Sequence, residues 1–241
     1  MTEILKLDNI RKTLIRLEET LIFGMIERAQ FLSNDVIYKK GAIPIENYNK
    51  SFMEHLLEGT EKIHSQVGRY TAPDEHPFSS ELSKPIIDRE YEWPIKRNAI
   101  NINDRILNLY INNIIPLICK KGDDGNYGSS SVCDVNILQA LSKRIHYGKF
   151  VAESKYLSDV EGWNKLILKK NKEKIIEKLT DAQVEDKILT RVEIKAFAYG
   201  QDPLSDIKEY KIDPATILRI YKEHIIPLTK ETEYLYLLER I

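Results

Sequence analysis

Apolar side chains recur every three or four residues along most of the chain, which is the spacing of helices that bury one face. The first run extends from Leu7 to Met25 and predicts a long amphipathic helix with Asp8 at its N-cap. A later helix is predicted to start at Thr180, which forms a capping box with Gln183. The alternating pattern typical of strands is absent from the sequence. The chain is therefore predicted to be all-α, an elongated helical bundle with helices at about 8–33, 47–70, 102–120, 130–156, 180–199 and 213–240.

The segment 71–101 interrupts this pattern. It contains four prolines, Pro73, Pro77, Pro85 and Pro94, which indicate a long irregular connection. Connections of this length are uncommon in compact domains and are often functional.

Two segments of the chain resemble each other at a constant offset. "ILNLYINNIIPL", residues 106–117, aligns with "ILRIYKEHIIPL", residues 217–228, and both contain the tyrosine and the IIPL ending. Chance similarity between two amphipathic helices is one explanation, but a shared proline inside a helix is costly and favours an internal duplication. The second copy continues into Thr229 and Glu233, polar groups that the first copy lacks.

Composition narrows the classes of function. The chain has 241 residues, 42% of them hydrophobic, enough for one sizeable core in a single domain. Its net charge of −1 provides no general positive field, so nucleic acid and anionic membranes are not expected partners. Cys119 and Cys133 show neither metal-ligand spacing nor a disulfide framework, which fits a reducing compartment. The acidic start "MTEILKLDNI" does not resemble a signal peptide, and no apolar run reaches membrane-spanning length, so we expect a cytoplasmic protein.

Motifs for familiar catalytic chemistry are missing from the sequence. It contains no phosphate-binding or dinucleotide-binding glycine loop, no HExxH, no CxxC and no nucleophile elbow. The five histidines are scattered, and each is better explained as an ordinary surface or core side chain. An enzyme with this sequence is expected to need no metal, no cofactor and no familiar covalent intermediate.

One helix carries cations on a face that it is predicted to bury. Arg144 and Lys155 are eleven residues apart, so both leave the same side of the helix, separated by about 16 Å along its axis. Gly148, Val151 and Ala152 lie between them and form a small apolar wall. This arrangement suits a small dianion, although two cations extending into solvent along a surface helix would give the same pattern.

Three other predicted helices offer polar groups that complete such a pocket. Arg11 flanks the apolar stripe of the first helix. On the last helix Thr229 and Glu233 share an i, i+4 row with aliphatic residues, which places a carboxyl in apolar surroundings. Asp181 and Glu185 share one face of the helix at 180–199, where a structural role at the helix start is the alternative. Together the four helices are predicted to line one pocket.

Five stretches of the sequence are distinctive enough to compare with known families. They are "NIRKTLIRLEE", "LSKRIHYGKFVAESKY", "VEDKILTRVE", "YKEHIIPLTKETEYLYLLERI" and "GDDGNYGS". With these stretches the chain resembles the eukaryotic, fungal-type, all-helical chorismate mutases along essentially its whole length. The resemblance implies an isomerase that converts chorismate to prephenate in phenylalanine and tyrosine biosynthesis. It also implies an all-α homodimer in which residues 1–241 form one domain, with a catalytic four-helix region and a related regulatory and dimerisation region at about 47–129. The reaction is a pericyclic rearrangement, which explains why motifs for nucleophiles and metals are absent.

The resemblance assigns four charged residues to the reacting part of the substrate. Arg11 and Arg144 would hold the two carboxylates. Lys155 would contact a carboxylate and the ether oxygen, on which negative charge develops as its bond to carbon breaks. Glu233 would hydrogen-bond to the ether oxygen from the other side and must be protonated to do so.

The remaining positions would hold the rest of the substrate. Glu185, together with the backbone of Asp181, would bind the ring hydroxyl, and Thr229 would support a carboxylate. Gly148 and Val151 would form the wall of the site.

The same resemblance implies amino-acid effectors, with tyrosine as inhibitor and tryptophan as activator at the dimer interface. The relatives hold an effector between a loop and a pair of adjacent arginines. This chain keeps one arginine and replaces a threonine that faces the effector, so its tyrosine response is predicted to be weakened or altered. The residues concerned are Arg69, Asn126, Gly128 and Ser129, with Gly68 and Val132 as departures.

Two other classes of function remain open from the sequence. One is a helical scaffold whose cations lie at a rim, and the other is an amino-acid sensor that has lost catalysis. Against the sensor, every catalytic position of the family carries a competent residue in this chain.

Overall fold

A computed structural model describes residues 2–87, 91–201 and 210–241. In these residues the structure is helical, with one isolated β-bridge between Ile45 and Tyr48, and the prediction of an all-α fold is confirmed. No helix in the described ranges has the length and apolar character needed to cross a membrane. The helices are α1 (Leu7–Arg28), α2 (Phe52–Gln66), α3 (Asn103–Leu109), α4 (Ile115–Ile118), α5 (Tyr127–His146), α6 (Gly148–Ser158), α7 (Val160–Leu168), α8 (Lys172–Leu179), α9 (Ala182–Tyr199), α10 (Pro214–Ile220) and α11 (Ile226–Glu239).

Helix α5 lies at the centre of the fold. It packs against α1 along much of its length, and also against α2, α3 and α11. One turn residue, Tyr147, separates it from α6, and this residue keeps helical backbone angles. Helix α9 packs against α1 and α10, and α11 packs against α6 and α8. Helices α1, α5–α6, α9 and α11 therefore surround a common space.

Several predicted helix starts differ from the structure. The first helix begins at Leu7, so Asp8 lies in its first turn and is not the N-cap. The second begins after Ser51, not near residue 47, because Ser51 and Glu54 form a reciprocal capping box. Helix α9 is capped by Asp181, whose side chain accepts a hydrogen bond from the Val184 amide at 3.1 Å. Thr180 instead follows the end of α8, so its predicted capping box with Gln183 is wrong.

The two similar segments have the same local structure. Helices α3 and α10 each continue into one π-helical turn, at Tyr110–Ile114 and Tyr221–Ile225, and then into α4 and α11. Each turn lies just before a shared proline, at Pro116 and Pro227. Proline lacks an amide hydrogen and clashes with the carbonyl one turn earlier, and the wider π turn relieves that clash. The internal duplication itself stays a prediction.

The connection at 71–101 is held by hydrogen bonds with side chains of α2 and α6. Its residues 88–90 lie outside the described part of the chain. Glu61 on α2 is fully buried and accepts hydrogen bonds from the amides of Phe78 (3.0 Å) and Ser79 (2.7 Å). Lys149 on α6 is also buried and donates to the carbonyl of Ile100 at 3.1 Å. These contacts hold an irregular segment against α2 and α6.

Candidate active site

A cavity of about 400 Å³ opens between α1, α5–α6, α9 and α11. The structure brings to it eight of the nine residues predicted to act on or bind the substrate. These are Arg11, Arg144, Val151, Lys155, Asp181, Glu185, Thr229 and Glu233.

Arg144 is a buried cation with unused hydrogen-bond donors. It lies in the last turn of α5 with 3% of its surface exposed, and its Nε and Nη1 atoms have no hydrogen-bond partner. Burial lowers its pKa from the usual value, while the charges of Glu18 and Glu233 act in the opposite direction. An unpaired buried guanidinium is costly, and it is the group best suited to bind a planar carboxylate by two parallel hydrogen bonds.

Glu233 is a carboxyl group prepared to hold a proton. It lies on α11, is 6% exposed, and its Oε2 atom accepts no hydrogen bond. Burial raises its pKa to about 7, against the opposing effect of the nearby cations Lys155 and Arg144. In its protonated form this side chain can donate a hydrogen bond into the cavity.

Lys155 faces Glu233 across the cavity. Its Nζ atom is 3.6 Å from Glu233 Oε2, an ion-pair distance that is too long for a hydrogen bond. The same Nζ donates to the carbonyl of Leu179 at the end of α8. The backbone of Lys155 is fixed by Trp163, whose indole donates to the Lys155 carbonyl at 2.9 Å. The Lys155 ammonium and the Glu233 carboxyl thus face the same part of the cavity.

Three further cavity residues differ in how far their polar groups are already engaged within the protein. Arg11 is half exposed, and its Nη1 is 3.0 Å from the exposed carboxylate of Asp8. A surface pair of this kind is weak, so the guanidinium is available to a ligand. Asp181 has its carboxylate engaged in capping α9, and its carbonyl accepts from the Glu185 amide at 3.0 Å, so its backbone N–H is the group left for ligand contact. Thr229 is buried and donates to the Ile225 carbonyl at 2.7 Å, leaving the lone pairs of its hydroxyl oxygen as acceptors.

Gly148 differs from the prediction. Among the residues described it is not part of the cavity wall, because it lies where α6 passes close to α11. A Cβ atom there would be 3.0 Å from the Thr229 carbonyl and 3.2 Å from Cγ of Glu233. The glycine permits a close helix crossing that places Thr229 and Glu233, and Val151 provides the apolar wall. Its part in binding the substrate stays a prediction.

A second layer of ion pairs surrounds the cavity and was not predicted from the sequence. Arg191 binds the buried carboxylate of Glu18 through two hydrogen bonds, of 3.0 and 2.9 Å, and Lys195 lies 3.1 Å from the same carboxylate. Lys230 pairs with Glu185, Nζ to Oε1 2.7 Å. One feature of the sequence could have predicted these pairs. Glu18 interrupts the apolar stripe of α1, and an acidic side chain buried there requires a cationic or hydrogen-bonding partner.

The predicted effector residues do not meet within one chain. Arg69 is held by Glu75 at 3.1 Å and by the side-chain oxygen of Gln139 on α5 at 2.9 Å. Gln139 is ten residues along α5 from Ser129, about 15 Å. Asn126 and Gly128 lie at the start of the same helix. Within one chain the loop and the Arg69 guanidinium are therefore separated.

Of the two departures, Gly68 is buried and Val132 is exposed. Gly68 is two residues beyond the end of α2 and has φ of 78°. Glycine is favoured in this left-handed conformation. Val132 lies on α5 and is 50% exposed, which is unusual for a valine and leaves apolar surface open to a partner.

Comparison with known proteins gives one consistent result. Residues 126–234 match the family model described as chorismate mutase type II. The chain is 45% identical to the chorismate mutase of Schizosaccharomyces pombe over 247 residues, covering 100% of this chain and 98% of that protein. A crystal structure of a chorismate mutase from Candida albicans in complex with L-Trp has a TM-score of 0.94 at 44% identity, covering 98% of this chain and 92% of that one. The structure of AtCM1 with tyrosine bound in its allosteric site has a TM-score of 0.90 at 44% identity, covering 99% and 98%.

Identity at this level over nearly the full length of both chains is far above what a shared fold alone requires. The segment that the family model matches, 126–234, contains seven of the eight predicted cavity residues, all except Arg11 on α1. The chain belongs to the eukaryotic all-helical chorismate mutases.

Proposed function

We propose that this enzyme binds chorismate in the cavity between α1, α5–α6, α9 and α11 and converts it there to prephenate. The observation that supports this site best is that two buried groups line the same cavity. One is the Arg144 cation, whose Nε and Nη1 have no partner, and the other is the Glu233 carboxyl, whose pKa is raised to about 7. The first suits a substrate carboxylate, and the second suits a neutral ether oxygen that gains negative charge during the reaction.

The rearrangement breaks the ether C–O bond while a new C–C bond forms in the same molecule, so it needs no nucleophile. In the proposed arrangement Arg11 and Arg144 hold the two carboxylates and fold the flexible side chain of chorismate over its ring. Lys155 and protonated Glu233, 3.6 Å apart in the free enzyme, approach the ether oxygen from two sides. Fixing the reactive conformer removes part of the entropic barrier.

The number of charged contacts is sufficient for catalysis of this kind. Charge-assisted hydrogen bonds are worth about 1.5 to 3 kcal/mol each, so three that strengthen in the transition state supply on the order of 5 to 9 kcal/mol. That corresponds to about 10⁴ to 10⁶ in rate. Glu185 and the backbone of Asp181 are proposed to bind the ring hydroxyl. Thr229 is proposed to support a carboxylate, for which its hydroxyl must turn its proton from the Ile225 carbonyl to the substrate.

The direct test is the loss of chorismate absorbance in the presence of purified protein. We expect turnover without added metal or cofactor, with the product identified as prephenate by its acid conversion to phenylpyruvate. Binding of amino acids without turnover would instead identify a sensor. Neither binding nor turnover would leave a helical scaffold.

We further propose that the chain forms a homodimer with effector sites between subunits, and that residues 1–241 act as one domain. Two solved relatives hold L-Trp and tyrosine, the second in an allosteric site. In this chain the loop at Asn126, Gly128 and Ser129 and the Arg69 guanidinium are about 15 Å apart along α5. Juxtaposition across a two-fold interface would unite them, and half-exposed Val132 lies between. The cytoplasmic location stays a prediction from the sequence.

Gly68→Arg is expected to strengthen tyrosine inhibition of this enzyme by at least about tenfold, because it supplies a second guanidinium next to Arg69. A side chain at φ of 78° also costs about 1 kcal/mol of stability. The measurement is the tyrosine concentration for half-inhibition, starting from a weak response in the unmodified enzyme. Gly68→Ala is the matched control, since it imposes the same backbone strain without a charge. Strong micromolar inhibition of the unmodified enzyme would contradict the prediction.

A further inference from the structure

Lys230 is a cation of the cavity wall to which the proposed reaction assigns no role. It lies on α11, between Thr229 and Glu233, and its Nζ atom is 2.7 Å from Oε1 of Glu185 on α9. Both side chains line the cavity, and each is about a quarter exposed. The ion pair thus joins the two helices that close one side of the site.

The pair answers an electrostatic difficulty in the cavity. A substrate with two carboxylates must enter a space that already contains the carboxylate of Glu185. Repulsion between like charges at a few ångströms is substantial where solvent is partly excluded. The acceptor that the ring hydroxyl needs is therefore also a group that opposes binding of the dianion.

We infer that Lys230 is a positioning residue that neutralises Glu185 and fixes its orientation, so that the cavity can hold a dianion and an acceptor for the ring hydroxyl together. The inference rests on the proposed role of Glu185. Lys230 acts through that carboxylate and not as a direct ligand of the substrate carboxylates. Arg144, by contrast, keeps two nitrogen atoms unpaired for that purpose among the residues described.

Lys230 has a second, weaker electrostatic effect. Its charge is one of those that lower the pKa of Glu233, after Lys155 and Arg144, against the larger effect of burial. Loss of Lys230 is therefore expected to move the alkaline limb of the pH profile to higher pH, in addition to its effect through Glu185.

The test is a double-mutant cycle in the full-length enzyme with chorismate as the probe. Lys230→Met should raise KM about 10- to 100-fold with kcat changed by less than about threefold, because the uncompensated Glu185 opposes binding more than it alters the chemical step. Glu185→Gln removes the repelling charge, so the double variant should have a lower KM than Lys230→Met alone. Lys230→Arg should stay near the unmodified enzyme. Lys222→Met, at an exposed lysine of the π turn before α11, is the matched control and should change neither constant.

Two results would overturn the inference. An unchanged KM in Lys230→Met would show that the cavity does not need the charge. Multiplicative losses in the double variant would show that Lys230 contacts the substrate directly and independently of Glu185. Lys230→Gln, with circular dichroism of each variant, keeps the test decisive if the methionine variant does not fold. Absence of turnover in the unmodified enzyme would refute the proposed function instead, which is a separate outcome.

Discussion

Arg144→Met is expected to lower kcat/KM by at least about 10³ while thermal stability stays the same or rises. The unmodified enzyme has a buried guanidinium with Nε and Nη1 unpaired. Removing that charge from water lowers the free energy of unfolding. A methionine of similar length removes this cost and fills the space. It also removes a charged contact to a substrate carboxylate that orients the reacting atoms. Stability and activity should therefore move in opposite directions, as at other sites built for binding.

The measurements are steady-state kinetics and thermal unfolding of both proteins. Arg219→Met is the matched control, because that arginine is on an exposed surface of α10 and pairs with Glu223 one turn away. It should change kcat/KM by less than about twofold, as expected for a surface ion pair. An Arg144→Met enzyme within tenfold of the unmodified rate would exclude the proposed pocket.

Residues that line the cavity could be predicted from the sequence where they lie on one helix. Arg144 and Lys155 could be placed on one face because α5 and α6 are nearly continuous, with helical backbone angles at Tyr147 between them. The row of Thr229 and Glu233 could be identified for the same reason, since both lie on α11. Helical periodicity alone determines which side chains share a face.

Features that depend on contacts between helices could not be read in this way. The Lys230–Glu185 and Arg191–Glu18 pairs join residues that are distant in sequence, and each depends on how two helices cross. Gly148 was assigned to the wall because its position fits the face, whereas the α11 backbone occupies the space beside it.

Helix starts were also hard to place, since two neighbouring residues can both cap a helix. Thr180 and Asp181 are both good N-cap residues, and the choice of Asp181 reflects where α8 ends. The position of Gly68 beyond α2 similarly depends on that helix ending at Gln66, which no proline or charge pattern marks. Local capping rules identify candidates, and packing of the neighbouring helix decides between them.

Glu233→Gln is expected to remove the alkaline limb of the activity profile. The unmodified enzyme should lose kcat/KM as the pH rises through about 7, because burial raises the pKa of Glu233 to about 7 and only the protonated carboxyl can donate to the ether oxygen. The limb of kcat should lie at higher pH, since the bound dianion further disfavours ionisation. Glutamine donates at every pH, so the variant should keep its activity to at least pH 9. An unchanged alkaline limb would show that another group determines it.

The same substitution has a signature in stability that does not depend on catalysis. A carboxyl whose pKa is higher in the folded state binds its proton more tightly there, so its contribution favours folding at low pH and is lost as the pH rises from the ordinary value of 4.5 to about 7. Glu233→Gln should therefore gain stability relative to the unmodified enzyme across this interval, by up to about 3 kcal/mol. Urea unfolding of both proteins at pH 5 and pH 8 measures the difference. Because Glu233 is almost fully buried, the gain should persist in high salt, whereas an effect that disappeared in salt would indicate long-range surface charge.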